Sequence, residues 1–214
     1  MIAKSLCPYP SVSSGVTSMA DLLLFAEDDA QEKFVGALIQ RLAGELQLTV
    51  RLRVRSSRGG FGMVLQELAR FSLVCERRGE ASPDVVVVAV DANCKGLKDR
   101  YDQVEGRVGG ILRNRLVVAV ADPHIERWFL VDGAAFRSVL GHGCQAPDQK
   151  CEKGRYKGLL IKAVRDAGVE PLLGGIEYAE DIAKLIDLKR AGAADPALRR
   201  FVSTLRTKLN QLKT

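Results

Sequence analysis

The amino-acid sequence predicts an α/β protein: a mainly parallel sheet flanked by helices, followed by a helical C-terminal extension. Three observations carry this expectation. Short, unbroken apolar runs at Leu22–Ala26, Val85–Val90 and Leu116–Ala121 have the length of strands buried on both faces. Segments with apolar residues at helical spacing lie between the runs, and strands that alternate with helices favour right-handed parallel crossovers. Beyond residue 123 only helical patterns remain.

Each element has its own justification. After Leu22–Ala26 (LLLFA), residues 29–44 place Phe34, Leu38 and Leu42, with Val35 and Ile39, on one helical face. Leu48–Val54 alternates Leu and Val with Thr and Arg, as a strand covered on one face does. Gly59, Gly60 and Gly62 open a helix that carries Val64, Leu65, Leu68 and Phe71. Val85–Val90 (VVVVAV) is the plainest strand, and a helix over 98–112 leads from it to Leu116–Ala121. Four more helices are expected, at Ile125–Val131, 155–167, 177–189 and 196–211. The last has Asp195 as its N-cap and Pro196 at its first position. Residues 141–153 are the most irregular stretch. The chain therefore divides into a leader over 1–19, an α/β domain over 20–140 and a helical extension over 141–214. The leader is rich in Ser and Pro and lacks the apolar core of a secretory signal, and Met19 is a candidate start.

Composition bounds the function classes. Hydrophobic residues make up 47% and charged residues 27%, as in a globular domain. No apolar run approaches the roughly 18 residues of a membrane span. The net charge of +6 permits an anionic partner. Five cysteines with no CxxC pair read as reduced thiols in a cytoplasmic protein.

Acids collect where strands end. Glu27, Asp28 and Asp29 follow the first run, Asp91 and Asn93 follow the third strand, and Asp122 and Glu126 follow the fourth. In a parallel sheet these positions converge at the carboxyl edge, where such folds bind ligands. Crowded carboxylates raise one another's pKa or demand a cation. Oxygen donors of this kind suit Mg²⁺ or Mn²⁺. Taken singly, each acid also fits an ordinary helix N-cap.

Basic residues form separate groups. Arg51, Arg53 and Arg55 share one face of a strand and Arg58 follows, a stripe suited to a phosphate backbone, to a protein interface or to plain solvated surface. Lys150, Lys153, Arg155 and Lys157 cluster before a helix, and residues 189–213 carry seven Lys or Arg against one Asp. The run SSRGGFG (56–62) lacks the ending of a P-loop and reads as a turn. His142, Cys144 and Cys151, with His124 as a fourth donor, do not have the spacing of a standard zinc site. Trp128 reads as a core residue.

Glu27 in LLLFAEDDAQEKF and Asp91 and Asn93 in VVVVAVDANCKG resemble the acidic motifs of the TOPRIM domain. ADPHIERWFLVDGAAF (121–136), KCEKGRYKGLLIKA (150–163) and GGIEYAEDIAKLIDLKRA (174–191) extend the likeness. Together they resemble small stand-alone TOPRIM-like proteins related to the nuclease half of OLD (overcoming lysogenization defect) proteins, over about residues 20–210. The most specific block joins Ile125, Glu126, Trp128, Leu130 and Asp132.

The resemblance implies a TOPRIM/Rossmann-like fold and metal-dependent hydrolysis of phosphodiester bonds in DNA or RNA. It implies a setting in phage defence beside an ABC/AAA-type ATPase. By position, Glu27 would be a metal ligand or general acid/base, and Asp91, Asn93 and Glu126 would bind Mg²⁺ or Mn²⁺. Lys157 would supply a cation for the transition state. No domain bearing a nucleophilic tyrosine is evident, which favours hydrolysis over rejoining. Asn93 and Gln31 stand where many relatives carry acids, which favours an alternative: a non-catalytic TOPRIM-like binding module. A receiver-like signalling domain would also use Asp91. It would need Ser or Thr at the end of the next strand, where Ala121-Asp122-Pro123 stands instead.

Overall fold

Strands β1 (Ala20–Ala26), β2 (Val50–Ser56), β3 (Val85–Asp91) and β4 (Leu116–Ala121) form one sheet in the order β2-β1-β3-β4. Every pairing is parallel. The computed structural model describes residues 19–78 and 82–213, so the leader expected before Met19 lies outside the described residues. Helix α1 (Asp29–Glu45) carries the chain from β1 outward to β2. Helix α2 (Gly60–Arg78) brings it back past β1 to β3. The connections therefore diverge between β1 and β3, and the carboxyl ends of those strands flank a topological switch point.

The pleat sorts side chains onto two faces. Leu22, Leu24, Ala26, Val85, Val87, Ala89, Val117 and Ala119 join one buried layer with α1 and the later helices. Leu23, Phe25, Val86, Val88, Val90, Val118 and Val120 join a second layer with α2, α3 (Leu97–Glu105) and α4 (Gly110–Arg113). Covering on both faces explains the unbroken apolar runs. The edge strand β2, expected over Leu48–Val54, runs Val50–Ser56; Val50 and Leu52 are half-buried between exposed arginines, and the alternation ends at Val54, which is exposed.

Past β4 come α5 (Ile125–Leu130), α6 (Gly133–Leu140), α7 (Arg155–Asp166), α8 (Ala179–Leu185), α9 (Leu188–Ala194) and α10 (Pro196–Gln211), with a 3-10 turn at Ile176–Tyr178. Leu160, Val164, Ile182, Leu198, Phe201 and Leu205 enter the same core layer as β1, β3 and β4. Trp128 is fully buried there, its ring 6.1 Å from those of both Phe34 and Phe201. Among the described residues no helix is long and apolar enough to cross a membrane.

Three helical features also depart from expectation. The helix expected over 98–112 is two helices, because glycines at 106, 109 and 110 interrupt the periodic pattern. The helix expected over 177–189 also divides. Ile186 turns to extended backbone, and Asp187 caps a new helix by accepting from Lys189 and Arg190 N–H at 2.9 Å each. Helix α6 was not anticipated: Asp132 caps it and Gly141, at φ 80°, ends it.

Candidate functional site

The register pairs Ala26 with Ala89, which sets Glu27 beside the last residue of β3. Glu27 N–H donates to Ala89 O at 3.2 Å, and Asp91 N–H donates to Glu27 Oε2 at 3.1 Å. The buried Asp91 carboxylate gathers three donors. Its Oδ1 accepts from Gln31 Nε2 at 3.0 Å and from Ile125 N–H, at the start of α5, at 2.9 Å. Its Oδ2 lies 3.0 Å from His124 Nδ1.

Gln31 earns its place by having two ends. Asp28 caps α1, and Gln31 Oε1 closes the capping box by accepting from Asp28 N–H at 3.1 Å. Its amide nitrogen is then aimed at Asp91. The side chain is 1% exposed, so an ionised acid here would face Asp91 with like charge and no water. Asn93 also has a local reason. It lies in the left-handed region at φ 47° while its N–H donates to Pro123 O at 3.0 Å, and Asn is among the residues that tolerate this conformation.

Negative charge is crowded here. Burial above all, with Glu27 and Glu126 nearby, pushes the Asp91 carboxyl up to about 7, against the opposing hydrogen bond from His124. Burial also raises Glu27, against the N–H groups of Asp91 and Phe61. His124 is raised by its hydrogen bond to Asp91 and by the surrounding carboxylates. The positive charge of Arg100 opposes the rise at Glu27; its guanidinium stacks 3.8 Å over Phe61 and donates to Ala92 O at 3.1 Å.

A pocket of about 500 Å³ opens over this edge, lined by Glu27, Asp28, Asp29, Arg58, Gly60 and Ile176. The expected arginine stripe is divided by the fold. Arg51 and Arg53 both bind Asp21, at 3.1 and 2.6 Å, near the opposite end of β1. Arg55 lies 5.2 Å over the Phe71 ring. Arg58 is the member that lines the pocket, 3.5 Å from Asp29. Lys157 lies on the first turn of α7, where a Cβ added to Gly174 would touch its Cε at 3.7 Å. Gly174 in turn stands two residues from Ile176.

A family model described as a domain of unknown function (DUF4276) matches residues 26–206. The chain belongs to this family. No curated protein and no solved structure matches it. In this DUF4276 protein the matched span takes in Glu27, Gln31, Asp91 and His124 together with nearly all of the C-terminal helices.

The cysteines of this DUF4276 protein correct the expectation of reduced thiols. Cys94 and Cys151 form a disulfide, while Cys75 and Cys144 are free; Cys7 lies outside the described residues. Spacing alone cannot assign such a pairing. The zinc reading fails with it, because Cys151 is committed to Cys94 and Cys144 Sγ turns to Leu130 O at 3.6 Å. Among the described residues no three His, Cys, Asp or Glu side chains converge as a metal-binding group. Glu27 and Asp91 nonetheless have the right chemistry for Mg²⁺ or Mn²⁺. They are hard oxygen donors, crowded by negative charge, and Mg²⁺ commonly takes one or two carboxylates with water and substrate oxygens completing its shell.

His124 enters the site unforeseen, having been weighed only as a zinc donor. The available signal was its position, three residues after β4 at the edge where the acids collect.

Proposed function

We propose that this protein is a metal-dependent phosphodiesterase of TOPRIM-like type that hydrolyses nucleic acid. The observation that carries the reading is the Glu27–Asp91–His124 constellation at the switch point between β1 and β3, with Glu27 and Arg58 lining one pocket. Glu27 and Asp91 would hold Mg²⁺ or Mn²⁺, which when bound neutralises phosphate charge and lowers the pKa of water. Asp91 orients the His124 imidazole through Nδ1, so proton exchange with a substrate oxygen or water falls to Nε2. Arg58 presents a planar fork of donors to phosphate oxygens. Lys157 adds a second cation on the far side of Gly174. The likeness to OLD-related proteins extends the proposal to phage defence with an ABC/AAA-type ATPase partner.

A second reading, a non-catalytic binding module, draws on Gln31 and Asn93 and on the three donors that already occupy Asp91. A phospho-accepting receiver is disfavoured by the same burial and bonding of Asp91.

Incubation of the full chain with plasmid DNA, single-stranded DNA and RNA in Mg²⁺, Mn²⁺ or EDTA tests the proposal. Cleavage is expected with metal and not with EDTA, and Glu27→Gln should lower the rate by about 100-fold or more. Arg58→Ala should raise KM about tenfold, equivalent to about 1.4 kcal/mol of phosphate contact. Cleavage that persists both in EDTA and in Glu27→Gln would sink the metal reading. Metal-independent binding that Arg58→Ala weakens, with no cleavage of any substrate, would support the binding module instead.

A further inference from the structure

Two segments on the rim of the site are joined covalently. Cys94 lies three residues beyond Asp91, in the turn between β3 and α3, and Cys151 lies in the irregular stretch before α7. Their Cα atoms are 5.6 Å apart and 57 residues separate them.

Each segment is tied to the surroundings of His124. In the turn, Ala92 N–H donates to Ala121 O at 2.8 Å and Asn93 N–H donates to Pro123 O at 3.0 Å, which holds the connection that ends at His124. The stretch before α7 wraps around Tyr156. The Tyr156 hydroxyl accepts from Lys150 N–H at 2.7 Å and lies 2.9 Å from the carbonyls of Asp148 and Lys150. The Tyr156 ring is 6.4 Å from the His124 ring, and the next residue is Lys157.

Cys144 is anchored against the core and Gly133; beyond it, apart from the disulfide and Tyr156, weak contacts hold this stretch. Gln149 donates to Asp122 Oδ2 at 2.8 Å, and Asp148 pairs with Lys150 and Arg155 at the surface; exposed pairs of this kind contribute little. Residues 143–152 belong to no helix or strand. Both bonded cysteines are exposed, so an external thiol can reach them. Among the described residues the free thiols are poor competitors: Cys75 is buried, and burial pushes the Cys144 thiol up to about 11.

We propose that Cys94–Cys151 is a redox latch on the site. Oxidised, it holds residues 145–152 around Tyr156, whose ring lies beside His124. Reduced by a dithiol, it releases them and uncovers the Tyr156 ring that lies beside His124. A thiolate of the dithiol attacks one sulfur, forms a mixed disulfide and expels the other cysteine as a thiolate. The second thiol of the dithiol then displaces the first. Two electrons pass to the protein, two cysteine thiols form on protonation, and the dithiol leaves as its disulfide. The effect on catalysis rests on the proposed function; the latch itself does not.

Hydrogen exchange of the full chain, read by mass spectrometry before and after dithiothreitol in native buffer, tests the latch apart from activity. Alkylation should map two new thiols to Cys94 and Cys151. Exchange across 145–153 should rise about tenfold or more while Val85–Asp91 and the body of α7 stay protected. Cys94→Ser and Cys151→Ser should each exchange fast without reductant and respond no further. The latch is overturned if neither residue is oxidised in the native protein, if the thiols appear only on denaturation, or if exchange ignores reduction. In the cleavage assay, reduction should slow the wild type about fivefold or more and leave the serine variants unaffected. A cleavage rate indifferent to reduction overturns the coupling to the site. An exchange response with no cleavage in either state supports the latch and removes the nuclease reading.

Discussion

Asp91→Asn is expected to melt higher than the wild type at pH 8, but no higher at pH 5, while abolishing any metal-dependent turnover. The folded Asp91 carboxyl keeps its proton up to about 7, against an ordinary value of 3.8. Between those values the folded state binds more protons than the unfolded chain, so stability falls as pH rises through the window. Glu27 and His124 are raised as well and act with the same sign. For Asp91 this amounts to roughly a few kcal/mol, lost as pH rises through about 7. Asparagine removes the charge and keeps an oxygen for Ile125 N–H and Gln31. Its amide nitrogen meets His124 Nδ1, an acceptor once the imidazole is neutral. Some charge-assisted bonding is lost, so a gain of about 2 kcal/mol is expected at pH 8, or about 4–8 °C for a chain of this size. At pH 5 the wild-type carboxyl is already protonated and the advantage disappears. Millimolar Mg²⁺ should raise the wild-type midpoint at pH 8 and leave Asp91→Asn unmoved, since the cation would take the place of the proton. Thermal melts at pH 5, 6.5 and 8, with and without Mg²⁺, decide the matter. A variant that melts lower at pH 8 would make Asp91 a structural cap for α5 rather than a functional charge. Stability surrendered for an unneutralised carboxylate is what a working site costs.

Legibility followed how local each determinant is. β3 and β4 could be read because burial on both faces writes itself into every residue of VVVVAV and LVVAVA. The period of two also placed Arg51, Arg53 and Arg55 on one face of β2. It could not show that Asp21, the register partner of Arg51, would take two of the guanidiniums. The convergence of Glu27 and Asp91 was foreseeable, because parallel strands bring their carboxyl ends to one edge. The donors that finish the site were not. Gln31 looked like a missing acid until its amide was seen to bridge Asp28 and Asp91, and His124 reaches Asp91 only through the turn that follows β4. The break at Gly106 lies in local glycines that the helical pattern passed over, whereas disulfide pairing and the break at Ile186, where Asp187 N–H donates to Asp132 Oδ2 at 2.7 Å, depend on contacts far along the chain.

Asp195→Ala should be among the most destabilising single changes in the molecule. Asp195 and Arg127 are both buried, and they form an ion pair between the start of α10 and helix α5. Arg127 also donates to Ala194 O at 3.2 Å, while its Nε has no hydrogen-bond partner among the described residues. Asp195 Oδ1 meanwhile accepts from Leu198 N–H at 2.8 Å as the cap of α10. Alanine would strand a guanidinium without its counter-charge, at a cost of about 3–5 kcal/mol. It would also uncap the helix, adding about 1 kcal/mol. At about 2–4 °C per kcal/mol, the midpoint should fall by roughly 10 °C or more. The loss should reach the site, because α5 holds Asp91 through Ile125 N–H and seats Trp128 between Phe34 and Phe201. The double variant Arg127→Met with Asp195→Asn separates the two contributions. It buries no charge and keeps a capping side chain, so it should recover to within about 2 kcal/mol of the wild type. Denaturant titration of the wild type and both variants measures this directly. A loss of only about 1 kcal/mol in Asp195→Ala would equal the cap alone. The ion pair would then contribute nothing, and α5 would owe its position, and with it the geometry around Asp91, to the packing of Trp128.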